Sequence, residues 1–120
     1  MSINMVLFEP EIPPNTGNIA RTCAVTGSRL HLIQPFGFSL EDKHLKRAGL
    51  DYWDLLEVYT YKNINQFFDR NEGSTFFYIT TKGKRRYTDI KYEDECFLIF
   101  GKETGGLPDA IIRHNEKRCI

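Results

Sequence analysis

The fold is decided by the first third of the chain, "INMVLFEPEIPPNTGNIARTCAVTGSRLHLIQPFG", Ile3 to Gly37. Its opening apolar run, bounded by "PEIPP", predicts a first buried strand. Asn15 is placed to cap the helix that follows, in which Ile19, Cys23 and Thr26 share one face at helical spacing, and Gly27 is a stop signal. "RLHLI" reads as a second strand, ended by Pro35 and Gly37. Strand, helix and strand in so few residues make a βαβ unit, which requires parallel strands and a right-handed crossover.

Working outward, the alternation continues. "SLEDKHLKRAG" suits a short helix capped by Ser39 and terminated at Gly49, and "LLEVYTY" a short strand. "NINQFFDRN" predicts a helix opened by Asn63 or Asn65 and closed near Gly73. "STFFYITTKG" is rich in aromatic and β-branched residues and predicts a strand running towards Gly83. "ECFLIFGKETGG" predicts another fully apolar strand that leads into a glycine loop, and "LPDAIIRHNEK" a helix with Pro108 in its first turn. The expected class is α/β: a mostly parallel sheet with helices on both faces, in a single domain over residues 1–120. The final "RCI" would suit the start of a further strand, so the sequence is expected to be truncated at its C-terminus.

Of the 120 residues, 41% are hydrophobic, 27% charged and 13% aromatic, a globular and not a disordered composition. No apolar run approaches the roughly 18 residues of a membrane span, and the N-terminus meets acids and prolines where a signal peptide would be basic and then apolar. Cys23, Cys96 and Cys119 are odd in number and widely spaced, which fits neither a disulfide framework nor a zinc ribbon and points to a reducing cytoplasm. Cys23 and Cys96 read as small buried side chains. His31, His44 and His114 have no metal-ligand spacing, so no metal is expected. The net charge of zero gives no overall preference for nucleic acid. Even so, "KHLKRAG" and "KGKRRY" gather positive charge locally, either as solvated loops or as phosphate contacts.

Ligands of open parallel sheets bind beyond the carboxyl ends of the strands. "PPNTGNIAR", "TTKGKRR" and "FGKETGGLP" all follow predicted strands, so they should gather on one edge. The turn beginning at Asn15 and the bend at Gly101 should open side by side, with Arg21 overlooking the space between them. "FGKETGGLP" lacks the spacing of a phosphate loop or a dinucleotide fingerprint. Gly101, Gly105 and Gly106 instead let main chain approach a ligand, or serve a helix-entry turn. Arg21 and Asn18, three residues apart on a helix, can converge on an anionic group, or Arg21 is a surface ion-pair partner. Paired carboxylates, a Ser-His-Asp order and a Cys-His pair cannot be singled out, so hydrolase chemistry is poorly supported.

"FEPEIPPNTGNIARTCAVTGSRLHLIQPFGF", "KRAGLDYWD", "TTKG" and "FGKETGGLP" together closely resemble the SPOUT-class tRNA 2′-O-ribose methyltransferases, in particular the small subgroup that modifies the wobble nucleotide. The resemblance covers almost the whole chain. It implies an α/β-knot fold, S-adenosylmethionine as donor, and a homodimer whose site combines both subunits. Asn15, Gly17, Asn18 and Arg21 match the family's first motif, with Arg21 the candidate catalytic residue and Asn15 and Asn18 beside it. Ile79, Thr80 and Gly83 match a strand end that lines the cofactor, and Gly101, Glu103, Gly105, Gly106 and Leu107 match the second motif. Lys43, Lys46, Arg47, Lys84, Arg85 and Arg86 are then expected to contact the phosphates of a tRNA anticodon stem-loop, with Trp53 or Tyr87 stacking on a base. The family's third motif and knot-forming tail are absent after Ile120. The alternative is a non-catalytic RNA-binding module of the same fold.

Overall fold

The computed structural model describes residues 3–11, 13–35, 57–79, 96–102 and 105–115. Five strands form one wholly parallel sheet: β1 (Asn4–Phe8), β2 (Arg29–Ile33), β3 (Val58–Tyr61), β4 (Phe76–Ile79) and β5 (Phe97–Phe100), in the order β3-β2-β1-β5-β4. Three helices are described: α1 (Pro13–Thr26), α2 (Ile64–Arg70) and α3 (Asp109–His114). The helix predicted from Ser39 to Gly49 lies outside the described residues, as do Gly83 and Cys119.

The inner strands are largely apolar on both faces because both faces are covered, whereas Tyr59 and Thr60 of the edge strand β3 are exposed. Leu7, Leu30 and Leu32 pack with Ala20 and Cys23 of α1 on one side. On the other side Val6, Phe8, Ile33, Tyr61, Phe97 and Ile99 pack with Phe67 of α2, with Leu107, and with Ile111 and Ile112 of α3. Period-two alternation along each strand divides these two sets. The connections leaving β1 and β5 therefore run to opposite faces of the sheet. Because β1 and β5 are neighbours, a crevice opens beyond their carboxyl ends, where the strand order reverses.

Three local expectations are corrected. Helix α1 begins at Pro13, two residues before Asn15, so Asn15 stands in its first turn and does not cap it. Two consecutive prolines suit these opening positions, where a backbone N–H would have no intrahelical partner and φ is already helical. The buried face of α1 is Thr16, Ala20 and Cys23; Thr26 is exposed and returns its hydroxyl to the Thr22 carbonyl oxygen at 2.8 Å. Pro108 is the N-cap of α3 and not a first-turn residue, while Asp109 places an acid in that turn.

Other signals read as expected. Gly27 ends α1 at φ +75°, a left-handed conformation that favours glycine. Asn63 opens α2, its side-chain oxygen accepting the Gln66 N–H at 2.8 Å. Cys23 and Cys96 are both buried, and burial pushes the Cys23 thiol up to about 11, which makes it a poor nucleophile.

His31 is a core histidine. Asn4 Oδ1 lies 2.9 Å from Nε2 and the Tyr61 hydroxyl 2.8 Å from Nδ1. A carboxamide oxygen only accepts, so Nε2 carries the proton and Nδ1 accepts from Tyr61. The Tyr61 oxygen in turn accepts from Asn71 Nδ2 at 3.3 Å. This chain ties the amino end of β1, the middle of β2 and the carboxyl end of β3 to the end of α2. Burial, and then the Arg29 charge, lower the His31 pKa to about 4, so the ring is neutral.

Candidate active site

The register of the sheet brings the predicted loops together. Leu7 of β1 and Ile79 of β4 are both level with Phe100 of β5. The segments that follow Phe8, Ile79 and Phe100 thus leave from one edge. Ile79 is half-buried at that edge. Thr80, Gly83 and Glu103 lie outside the described residues, as do Lys43, Lys46, Arg47, Trp53, Lys84, Arg85, Arg86 and Tyr87.

The loop after β5 closes on itself. The Gly106 N–H donates to the Lys102 carbonyl oxygen at 2.8 Å, and the two residues form an antiparallel bridge. A side chain at Gly101 would overlap the main chain of Gly106 and Leu107, so the turn admits hydrogen alone there. Gly106 has φ +64°, which also favours glycine, and open space where a Cβ would stand. Leu107 is buried and pins the end of the loop into the core.

Between this loop and the end of β1 lies a cleft of about 380 Å³ lined by Phe8, Glu9, Lys102, Gly105, Gly106, Leu107, Pro108 and Asp109. Its described walls combine bare glycine main chain, three apolar side chains, two carboxyls and one ammonium. Glu9 and Lys102 meet across it, Lys102 Nζ to Glu9 Oε1 at 3.5 Å. The resemblance did not single out either residue. Glu9 could have been found by asking what immediately follows the predicted first strand; Lys102 showed only as a position that breaks the phosphate-loop pattern.

The residues of the first motif lie on α1. Asn15, Asn18 and Arg21 are all exposed and, at steps of three residues, share the outer face of α1, opposite the buried Thr16, Ala20 and Cys23. Arg21 stands past the midpoint of this 14-residue helix. The two loops do open from adjacent strands, yet α1 packs on one face of the sheet while Leu107 and α3 pack on the other, and the cleft lining includes none of these three residues. Within one chain the cleft lining gathers Gly105, Gly106 and Leu107 of the glycine loop and does not include Arg21. Thr16, between the two asparagines of the motif, is buried with no hydrogen-bond partner for its hydroxyl among the described residues.

Residues 2–120 match the family model described as SpoU rRNA Methylase family. The chain belongs to this family. A Listeria monocytogenes relative is 54% identical over the whole chain, which covers 73% of that relative's length. The Escherichia coli K12 protein named tRNA (cytidine(34)-2′-O)-methyltransferase is 48% identical over 92% of the chain and 70% of its own length. A solved structure described as giving structural insights into the 2-OH methylation of C/U34 on tRNA is 37% identical, with a TM-score of 0.91 over 93% of the chain and 74% of its own. Membership of the SpoU family accords with the parallel sheet and with the glycine loop at its carboxyl edge. Among the described residues no helix is long and apolar enough to cross a membrane, and no group of histidine, cysteine and acidic side chains could hold a metal ion.

Proposed function

We propose that this protein transfers a methyl group from S-adenosylmethionine to the 2′-hydroxyl of the ribose at nucleotide 34 of tRNA, working in the cytoplasm as a homodimer. The observation that carries the reading is the cleft at the β1/β5 switch point, lined by a glycine loop in a chain 48% identical to the Escherichia coli enzyme of that name. Ligand clefts of roughly 300–1,000 Å³ are usual for small cofactors, and this one has the mixture the donor needs. Bare main chain at Gly105 and Gly106, with Phe8 and Leu107, suits a flat nucleoside. Side chains of both signs suit a tail that carries both charges. When bound, the donor supplies a methyl group activated by the sulfonium.

The chain's own residues divide the remaining work. In this reading Gly101, Gly105, Gly106 and Leu107 hold the donor, together with Ile79, Thr80, Gly83 and Glu103. Arg21, with Asn15 and Asn18, orients the ribose hydroxyl and its neighbouring phosphate. A guanidinium keeps its proton in proteins, so its contribution is positioning and charge stabilisation, not proton abstraction. Holding donor and acceptor in line can itself supply roughly 7–11 kcal/mol. Arg21 is exposed on α1 and is not among the residues that line the cleft, which supports a site in which the arginine of one subunit serves the cleft of the other. Lys43, Lys46, Arg47, Lys84, Arg85 and Arg86 would meet anticodon-stem phosphates.

The test is incubation of the protein with donor and tRNA, followed by mass spectrometry of the nucleosides. A ribose methyl at position 34 is expected. Arg21→Ala should remove it while leaving donor binding intact, and tRNA binding should weaken steeply with salt. Donor binding without any methylated nucleoside would return the protein to the RNA-binding alternative. An unchanged rate in Arg21→Ala would remove that residue from the mechanism.

A further inference from the structure

The Glu9–Lys102 pair is not explained by the family motifs. Glu9 directly follows β1 and holds φ +45°, a left-handed conformation disfavoured for any side chain bearing a Cβ. Such a conformation persists only where the surroundings hold it, and it tends to mark sites of function. The Glu9 N–H donates to the Ile33 carbonyl oxygen at 3.0 Å on the β2 side, while its carboxylate reaches the opposite way, to the ammonium of Lys102. Lys102 is held in turn through its carbonyl oxygen by Gly106. Its stem runs close over Gly105, where a Cβ would stand 3.2 Å from the lysine Cε. One carboxylate and one ammonium are thus presented side by side at the cleft, each from a different loop.

Their separation of 3.5 Å is longer than a tight charge-assisted hydrogen bond, and both side chains remain partly open, at 36% for Lys102 and 26% for Glu9. A pair of this kind is complementary to an α-amino acid, whose ammonium and carboxylate are held on one carbon. We propose that Glu9 and Lys102 form the receptor for the zwitterionic amino-acid end of the donor, Glu9 taking its ammonium and Lys102 its carboxylate. The inference rests on the donor reading above and extends it to two residues of this chain. Each group exchanges its neighbour for the matching charge on the ligand, so no charge is left unpaired in the cleft.

Calorimetric titration with two non-reacting nucleosides tests it. S-adenosylhomocysteine carries the zwitterion; 5′-methylthioadenosine has the same nucleoside and thioether without it. The wild-type chain should bind the first more tightly than the second. Glu9→Gln and Lys102→Met should each weaken S-adenosylhomocysteine about tenfold and leave 5′-methylthioadenosine within about twofold, a retained affinity that also reports a folded cleft. Equal weakening of both nucleosides would overturn the proposal, because the pair would then merely tie the two loops together, and so would no change in either. If the wild-type chain binds neither nucleoside, the donor reading itself falls and this inference with it.

Discussion

Replacing His31 by glutamine should flatten the acid limb of the stability curve. In the folded chain the ring is neutral, with a pKa of about 4 against an ordinary value of 6.5. Between those two values the unfolded chain binds a proton that the folded chain refuses, so stability falls as the pH is lowered through this window and levels off below it. At about 1.4 kcal/mol per pH unit, the full gap sets a ceiling of about 3 kcal/mol, of which about 2 kcal/mol is lost by pH 5. Carboxylates add their own slope at the acid end, so the informative quantity is the difference between wild type and His31→Gln. Urea unfolding at half-unit steps from pH 7.5 to about 4 measures it. The variant should be the less stable of the two at neutral pH, because Asn4 and Tyr61 lose their partner, and the two curves should converge by about 3 kcal/mol on acidification. Parallel curves would show that His31 has an ordinary pKa and that the Asn4–His31–Tyr61 chain does not hold it neutral.

Three other substitutions address the remaining elements. Gly101→Ala places a methyl group against the main chain of Gly106 and Leu107; it should cost about 1–3 kcal/mol in urea unfolding and abolish calorimetric binding of S-adenosylhomocysteine, whereas wild-type affinity would show that the loop shape does not matter. Thr16→Val removes a buried hydroxyl that has no partner among the described residues, so stability should be unchanged or rise by up to about 1 kcal/mol; a loss above about 1 kcal/mol would mean that the hydroxyl is bonded. Asn63→Ala removes the side-chain cap of α2 and should cost about 1 kcal/mol; a loss near zero would show that burial of Phe67 alone holds this short helix.

The sequence by itself determined the class of fold and the edge on which to look. Apolar runs separated by capped, glycine-ended helical stretches admit a parallel sheet covered on both faces and little else. Asn63, Gly27 and the "FLIFG" strand were legible because the signal is local: a cap, a left-handed turn, a run of apolar side chains. The start of α1 was misread for the same reason. Asn15 is a good cap in isolation, but the prolines at positions 13 and 14 are better first-turn residues, and the helix takes them in.

Only the tertiary structure decided what meets what. The order β3-β2-β1-β5-β4 makes β1 and β5 neighbours although most of the chain separates them, and it alone brings Glu9 to Lys102. It also put α1 and α3 on opposite faces of the sheet, and Arg21 of α1 is not among the residues that line the glycine-loop cleft. Local spacing could assign Arg21 to a helix, but which side of the sheet that helix covers depends on the handedness of the crossover and on burial of Ala20 and Cys23. Those are properties of the packed whole, written in no single stretch of the chain.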